Sequence, residues 1–467
     1  MHEHDTLTSN DSPSLATPAS ASLLSAPYRL TTVGLVLLVA LIAFEALAVA
    51  TAMPAVAQDL GGLSLYALAF GITLATSVVG MTAAGGWSDS DGPAAPLWSG
   101  LACFLVGLLL AGLAHDMPLF LLGRLVQGLG AGGISVALYV LVGRRFPESL
   151  RRKLFAAFAT AWVVPALVGP LISGLMVEHL GWRWVFLGVP LLALPAAAML
   201  RPAMRDLPGL AGGSKPWRER CLLSMGVATG IALLYVGGQA QGALAFAVLS
   251  VAVALSLGCA WRLLPRGTLR AARGLPSVIA LRGLVFAVFF GTEAFLPLLL
   301  ARERGFSAPM AGLVLTLGAV GWCCASWYQG HSRNGWSRYR FLRTGTSIIL
   351  LGVALTLSLA WPTLPVALGI LGWALTGLGM GLVSASLSLL TLSMSEPGQQ
   401  GVNSSALQLC EAMTVATSLA IGGSLFSALL PVSTLAAYLA NFAIAAVMAV
   451  MAALVVARTD SQQFFID

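Results

Sequence analysis

Three glutamates lie well inside long apolar stretches of the chain, where an ionised side chain is costly. They are Glu45, Glu293 and Glu411, whereas the other fifteen of the 18 carboxylates lie in tails, loops or near predicted helix ends. A charge at the centre of a membrane-spanning helix costs at least about 2.5–3.5 kcal/mol on insertion scales. Burial favours the protonated form of a carboxyl group, so such a residue can hold a proton when dry and release it when water enters. We predict that these glutamates handle protons or contact a ligand; the alternative is a permanently protonated Glu bonded to a neighbouring group.

Arg124 and Gln127 form a second polar group inside an apolar stretch. At about 1.5 Å per residue, Glu45, Gln127 and Arg124 lie roughly 21, 24 and 28 Å from the helix ends on one side of the membrane. We therefore expect the three side chains to meet. A guanidinium stays charged, so Arg124 needs an acceptor. Glu45 is one candidate, and backbone carbonyls are the other.

Phe286, Phe289, Phe290 and Glu293 share one face of a predicted helix. An acidic group on an aromatic wall suits a lipophilic, often cationic, ligand. The equal alternative is that the rings face lipid. Arg282 lies about one turn into the same helix, and we expect its side chain to reach back to the membrane interface.

The composition defines the class of protein that holds these residues. The chain has 467 residues, of which 58% are hydrophobic and 9% charged, and its mean hydropathy is +0.88. Soluble domains carry about 25% charged residues, so a soluble enzyme, a disordered protein and a fibrous protein are excluded. We expect an all-α membrane protein, with the bilayer as its surroundings and no nucleic-acid partner.

Other chemistry is not indicated by the sequence. The six cysteines follow neither metal-ligand spacing nor a disulfide framework. We find no G-x-x-x-x-G-K-[ST] phosphate loop, which argues against an ATP-driven pump within this chain. We also find no nucleophile–base pattern. The sequence therefore predicts neither an enzyme nor a cofactor or metal site.

Fourteen stretches are long and apolar enough to cross a membrane, since about 20 apolar residues suffice. The least distinct boundary separates the seventh from the eighth, near residues 238–242 (GGQAQ). The predicted spans are 31–54, 64–86, 95–114, 118–143, 154–176, 184–200, 221–240, 242–263, 277–301, 308–329, 343–361, 364–393, 401–430 and 433–457.

Basic residues predict the orientation. With the N-terminus in the cytoplasm, 20 of the 25 Lys and Arg residues fall in inner segments and 3 in outer ones, while Arg124 and Arg282 lie within spans. Basic residues concentrate on the cytoplasmic side of membrane proteins. Both termini are therefore expected to be cytoplasmic. The same asymmetry supports an even number of spans, because merging the seventh and eighth would move later basic loops outside.

Two short matches predict an internal repeat. Residues 127–132 (QGLGAG) resemble 376–381 (TGLGMG) at an offset of 249, and 44–47 (FEAL) resemble 292–295 (TEAF) at an offset of 248. Chance similarity of Gly-rich helices is the alternative. Parallel repeats in transporters place the substrate site at their interface. We predict the following organisation: a disordered tail (1–28), a six-helix bundle (29–204), a linker with two extra spans (205–275), a second six-helix bundle (276–458) and a cytoplasmic tail (459–467).

Small residues and prolines mark several helices. Glycines in the fourth and twelfth spans favour close helix packing. Pro165, Gly169, Pro170 and Gly174 lie in the fifth span, where proline removes a backbone hydrogen bond and bends the helix.

These motifs resemble the major facilitator superfamily, specifically its fourteen-helix drug:proton antiporters, from about residue 30 to 457. Residues 45–54 (EALAVATAMP) are similar to the first-helix motif, and 122–128 (LGRLVQG) to the fourth-helix motif, whose Arg is implicated in proton handling. Residues 169–174 (GPLISG) are similar to the antiporter motif of exporters, and 181–186 (GWRWVF) to the entry of the sixth helix.

One loop departs from the family pattern. The loop between the second and third helices usually reads G-x-L-x-D-R-x-G-R-R, but here residues 85–95 are GGWSDSDGPAA. Asp89 and Gly92 match the pattern, whereas the basic residues are absent. Partners for Asp89 would have to come from elsewhere, and the basic loop residues near Arg144 are a possible source.

The resemblance implies a proton-coupled exporter of small amphipathic or drug-like molecules in a bacterial inner membrane. Glu45, Glu293, Glu411 and Arg124 would handle protons. Glu45, Gln127, Phe289, Phe290 and Glu293 would contact substrate, and the remaining motif residues (Asp89, Gly92, Pro165, Gly169, Pro170 and Gly174) would serve the conformational change. We expect a monomer. The alternatives are a proton-coupled importer and a non-transporting receptor on the same fold.

Overall fold

The computed structural model describes residues 22–204, 217–240, 242–331, 336–395 and 400–459. Within these ranges the regular structure is helical. Three short 3₁₀ segments accompany fifteen α-helices. The α-helices are α1 (Arg29–Asp59), α2 (Tyr66–Asp91), α3 (Ala94–Gly112), α4 (Met117–Arg145), α5 (Glu148–His179), α6 (Arg183–Ala198), α7 (Arg201–Met204), α8 (Trp217–Gln239), α9 (Gly242–Leu263), α10 (Leu275–Glu303), α11 (Ala308–His331), α12 (Arg338–Thr356), α13 (Val366–Ser393), α14 (Gln400–Leu429) and α15 (Thr434–Val456).

The predicted membrane spans correspond to all of these helices except α7. Thirteen helices in the described ranges are long and apolar enough to cross a membrane, and α6 is a shorter apolar helix. The four-residue α7 was not predicted. The boundary between the seventh and eighth spans is confirmed, because α8 ends at Gln239 and α9 begins at Gly242. Gly242 has a φ of +62°, which glycine tolerates and which suits a tight reversal between two helices.

Equivalent glycine contacts support the internal repeat. In the first half, α4 lies between α2 and α3, because a Cβ at Gly128 would lie 2.3 Å from the Thr73 carbonyl oxygen and one at Gly130 would lie 2.2 Å from the Phe104 nitrogen. In the second half, α13 lies between α11 and α12. There, a Cβ at Gly377 would lie 1.9 Å from the Gly318 carbonyl oxygen. The same small residues therefore allow the same close packing in helices α1–α6 and in helices α10–α15.

The two extra helices, α8 and α9, pack beside both halves. Val227, Ile231 and Tyr235 of α8 share one hydrophobic cluster with Val78 of α2 and Ala416 of α14. The linker thus contributes to the packed body of the protein rather than standing apart from it.

Parts of the predicted organisation lie outside the described residues. These parts are residues 1–21 of the N-terminal tail, 205–216 of the linker and 460–467 of the C-terminal tail. Residues 22–28 form turns before α1. The domain limits at 204/205 and 275/276 stay a prediction.

Candidate functional site

Arg124, Glu45 and Gln127 form a buried polar cluster between α4 and α1. The Arg124 Nη1 donates to a carboxylate oxygen of Glu45 and to Gln127 Oε1 at 2.6 Å, and its Nε donates to the Ala69 carbonyl at 3.2 Å. Arg124 and Glu45 are each 4% exposed, and Gln127 is 0% exposed. The structure brings together the three side chains that the depth estimate places at one level, and both candidate acceptors of Arg124 are used.

Close packing of α2 against α4 holds this cluster in place. Thr73 donates its hydroxyl to the Arg124 carbonyl at 3.2 Å, and Thr76 donates to the Leu125 carbonyl at 2.9 Å. These contacts need Gly128, since a Cβ there would meet the Thr76 hydroxyl at 2.1 Å. The glycine of the fourth-helix motif therefore lets α2 support the backbone that carries the arginine.

Gln127 has an unused donor. Its Oε1 must face Arg124, because a guanidinium only donates hydrogen bonds. That orientation leaves Nε2, which is buried and has no hydrogen-bond partner among the described residues. Buried polar atoms are nearly always paired, so an unpaired donor is a position where an added acceptor would gain a hydrogen bond.

Glu293 lies at the position in the second half that corresponds to Glu45 in the first half. The position that corresponds to Arg124 does not hold a basic residue. Glu293 lies on α10 and is 8% exposed. Across the described ranges, no hydrogen bond or ion pair of its side chain is present. The offset of 249 that relates Gly128 to Gly377 also relates Arg124 to Trp373. A tryptophan therefore stands in the second half where the first half has its arginine.

An aromatic cluster lies beside Glu293 in the protein interior. Phe289 stacks on Trp373 with ring centroids 4.7 Å apart and meets Trp322 edge-on at 5.2 Å. Phe290 packs against Phe289 at 5.4 Å. Phe289 is 3% exposed and Phe290 is partly buried, so these rings pack within the protein rather than facing lipid.

Arg282 does not reach back to the membrane interface, and that expectation was wrong. Its Nε donates to Glu411 of α14 at 2.7 Å, and its guanidinium lies 3.7 Å from the centre of the Phe286 ring. The partner carboxylate and the aromatic face together offset the cost of keeping the charge inside the bundle. The side chains of Arg282 and Glu411 are 15% and 23% exposed, so this pair is wetter than the Arg124–Glu45 pair.

The two halves touch at one end of the bundle, which we call the clasped end. It contains the C-terminal end of α1 and the N-terminal end of α2. There, Tyr66 of α2 donates its hydroxyl to the Ala294 carbonyl of α10 at 2.7 Å, and Ser427 of α14 donates to the Ser64 carbonyl at 2.7 Å. Since Ala294 follows Glu293 directly, the contact between the halves lies next to the unpaired acid.

A cavity of about 520 Å³ opens at the clasped end between α1, α10 and the start of α11. Thr51 and Pro54 line it from α1, and Pro297 and Arg302 line it from α10. Pro297 lies one turn after Glu293 on the same helix, so Glu293 lies about 6 Å along α10 from this lining residue.

Helix α5 contributes further contacts between the halves at the clasped end, through the motif that contains Gly169 and Pro170. A Cβ at Gly174 would lie 2.6 Å from Pro309 Cα, and one at Gly312 would lie 2.3 Å from the Pro170 carbonyl oxygen. Helix α5 nevertheless runs unbroken with Pro165 and Pro170 inside it. The small residues therefore place α5 directly against α11 of the other half.

The C-terminal end of α2 is held from α4. Arg144 donates to the Ser88 carbonyl at 3.0 Å, so a basic residue from the predicted source reaches the 85–95 motif. Gly92 ends α2 with a φ of +89°, a conformation that favours glycine. The side chain of Asp89 lies outside the described residues.

Contacts of Asp59 and Tyr235 were also not predicted from the sequence. Asp59, at the end of α1, accepts hydrogen bonds from Trp182 at 3.0 Å and Arg183 at 2.9 Å. The G-W-R motif was a signal, but nothing local marked Asp59 as its partner. Tyr235 of α8 donates to the Ser64 carbonyl, which ties an extra helix to the clasped end.

Comparison with known proteins identifies the family. Residues 35–418 match the Major Facilitator Superfamily. The chain therefore belongs to this superfamily, and it is an integral membrane protein.

Curated relatives include proteins with efflux names. An uncharacterised MFS-type transporter of Mycobacterium tuberculosis strain H37Rv is 27% identical over 81% of this chain and 56% of its own length. A probable multidrug-efflux transporter of M. tuberculosis strain CDC 1551 is 26% identical over 79% of this chain and 82% of its own length. Multidrug resistance protein 3 of Bacillus subtilis strain 168 is 30% identical over 36% of this chain and 33% of its own length. The chain thus spans little more than half the length of the first of these relatives.

Solved structures share the fold. A crystal structure of a POT family transporter aligns with a TM-score of 0.66 and 18% identity, covering 93% of this chain and 99% of that one. A bacterial homologue of the human lysosomal transporter Spinster, described as inward-facing and occupied, aligns with a TM-score of 0.64 and 14% identity, covering 95% of this chain and 99% of that one.

Proposed function

We propose that this transporter is a proton-coupled exporter of small amphipathic or drug-like molecules, related to the fourteen-helix drug:proton antiporters. The observation that carries the proposal is the pair of buried acids at equivalent repeat positions, Glu45 with a base and Glu293 without one. The efflux names of several relatives support the substrate class.

In this proposal Glu45 and Glu293 exchange protons as the halves rock. Glu45 forms an ion pair with Arg124, so a proton that reaches Glu45 must displace the guanidinium from it. Glu293 makes no ion pair among the described residues, so in this proposal it holds a proton while dry and releases it when water or a cationic group reaches it. Glu411 is a third candidate, with Arg282 as its fixed partner.

The substrate would lie between the polar cluster and the aromatic rings. Gln127 Nε2 offers a hydrogen-bond donor from α4, and Phe289 and Phe290 offer apolar surface from α10. In this proposal, the acidic side chains of Glu45 and Glu293 lie at the edges of the substrate space. Such a mixture favours molecules with a lipophilic body and one polar or cationic end.

The uneven distribution of basic residues suggests which side of the membrane the clasped end faces. With both termini in the cytoplasm of a bacterial inner membrane, the clasped end is the outer end, and the halves are poised to accept substrate from inside. Opening would break the Tyr66, Ser427 and α5–α11 contacts, with Pro165, Gly169, Pro170 and Gly174 in the moving helix. Asp89 and Gly92, at the opposite end of α2, would take part in the movement of the inner helix ends. One charge that crosses 100 mV supplies about 2.3 kcal/mol, enough for a roughly 50-fold gradient of a neutral substrate.

The experiment begins with an efflux and resistance screen in a drug-sensitive bacterial host, with ethidium among the probes. The purified protein is then placed in liposomes that contain a pH indicator, and the active probe is added outside. Antiport should make the lumen more alkaline, because protons leave as the probe enters. A more acidic lumen would indicate an importer-type symport, and an unchanged lumen for every probe would favour the non-transporting receptor.

Matched variants test the proton assignment. Glu45→Gln and Glu293→Gln should each abolish the pH change, whereas Glu219→Gln, an exposed residue in the first turn of α8, should leave it intact. Unimpaired proton exchange in both site variants would reject the assignment.

A further inference from the structure

A lateral groove lies between α3 and α6, away from the interface of the two halves. Its volume is about 640 Å³, and Trp98, Ala102 and Leu105 of α3 and Leu194 and Ala198 of α6 contribute to its walls. The two alanines are exposed, and their small side chains leave the space between the larger residues open.

One charged residue stands at one end of this groove. Of the described residues that line it, Arg201 alone is charged and the others are apolar. Arg201 begins α7 and is exposed, and its side chain makes no hydrogen bond or ion pair with the rest of the described chain. A polar head group with negative charge would therefore meet an available guanidinium.

The dimensions fit one leaflet of a bilayer. From Ala94 to Leu105, α3 rises about 16 Å at 1.5 Å per residue. This length is close to half of the hydrocarbon core, which is about 30 Å thick. The groove begins at the N-terminal end of α3 and the C-terminal end of α6, where Trp98 is placed as interfacial tryptophans usually are.

We infer that this groove binds an anionic phospholipid, with an acyl chain along α3 and α6 and the phosphate at Arg201. Basic pockets between membrane helices recognise such head groups. The inferred site is separate from the transport site and does not depend on the direction of transport. By the predicted orientation, the lipid belongs to the cytoplasmic leaflet.

The test uses a photo-reactive benzophenone amino acid at Leu194, an exposed residue of the groove wall. The full chain is placed in liposomes that contain equal amounts of phosphatidylglycerol and phosphatidylcholine, and the lipids attached after illumination are identified by mass spectrometry. We expect about a fivefold preference for phosphatidylglycerol, the effect of one basic residue near the surface. The same probe at Val447, an exposed residue of α15, should show no preference.

Four variants identify the cause. Arg201→Gln should reduce the preference at Leu194 to about equal labelling, whereas Arg262→Gln, an exposed arginine at the end of α9, should leave it unchanged. Ala102→Phe should fill the groove and reduce labelling by both lipids. Ala198→Leu serves the same purpose if the first filling variant does not fold.

Two results would overturn the inference. One is a preference that survives Arg201→Gln, since the charge complementarity would then play no part. The other is attachment of the Leu194 probe to a second copy of the chain, which would make this face a protein interface.

Discussion

Arg124 on α4 and Glu45 on α1 form a buried ion pair, whereas the same two repeat positions in the other half hold Trp373 and Glu293. At these two repeat positions, the fold thus keeps an acid in each half but a base only in the first half. Where the first half has a guanidinium, the second half has the indole of Trp373, which stacks on Phe289 and belongs to an aromatic cluster. The two acids therefore have different electrostatic surroundings on equivalent helices.

This difference predicts opposite effects on stability. Arg124→Gln leaves the Glu45 carboxyl buried without its partner and should lower stability by about 3–5 kcal/mol. Glu293→Gln removes an unpaired acid and should leave stability unchanged or raise it. Thermal unfolding of the detergent-purified proteins measures both effects.

The double variant Glu45→Gln/Arg124→Gln is the control for the ion pair. It should be more stable than Arg124→Gln alone, because it removes both buried charges. Equal losses in Arg124→Gln and Glu293→Gln would contradict the assignment of one paired and one unpaired acid.

Gln127 should affect substrate affinity more than stability. Gln127→Leu removes the Nε2 donor and also the oxygen that accepts from Arg124, whereas Gln127→Glu keeps an acceptor for Arg124 and replaces the donor by a second carboxyl oxygen. If Nε2 contacts the substrate, both variants should raise KM for the screened probe, by about tenfold for a lost hydrogen bond of about 1.4 kcal/mol. Transport assays at several probe concentrations measure KM and the maximal rate. An unchanged KM in Gln127→Glu would place Nε2 outside the substrate site.

The sequence predicts the helices well because each membrane span is a long apolar stretch that ends at charged or turn-forming residues. It predicts the Arg124–Glu45–Gln127 group because depth along a straight helix follows from residue count alone. It cannot predict that Arg282 turns inward, since reaching the interface and pairing with Glu411 are both available to a long side chain. The choice depends on how α10 is rotated against α14, which is a property of packing between distant segments. Asp59 was missed for the same reason, because its partners lie more than a hundred residues further along the chain.

The glycines between α5 and α11 should control closure of the clasped end. Gly312→Ala adds a Cβ that would lie 2.3 Å from the Pro170 carbonyl oxygen, so the two helices must separate. In a cysteine-free background, a cysteine at Ala55, which lines the nearby cavity, should then react faster with a water-soluble maleimide. Gly143→Ala is the matched control, because its added Cβ meets nothing within 4 Å. Equal labelling rates in the two variants would show that this contact does not hold the clasp closed.

The extra helices should stabilise the same closed arrangement. The Ser64 carbonyl accepts hydrogen bonds from Tyr235 of α8 and from Ser427 of α14, so α8 and the second half share one acceptor in the first half. Tyr235→Phe should cost about 1 kcal/mol, the usual net value of one hydrogen bond. Tyr235→Phe/Ser427→Ala should cost more than the sum of the single variants, because it removes both donors to the carbonyl.

Thermal unfolding, and maleimide labelling of a cysteine at position Ala55, both measure the effect of losing the hydrogen bond between Tyr235 and the Ser64 carbonyl. Tyr438→Phe is the matched control, since Tyr438 is buried and its hydroxyl makes no hydrogen bond with the described residues. We expect faster labelling in the Tyr235 variants and no change in the Tyr438 variant. If Tyr235→Phe/Ser427→Ala labels at the wild-type rate, α8 and α9 do not contribute to the clasp, and their packing against α2 and α14 serves the body of the protein alone.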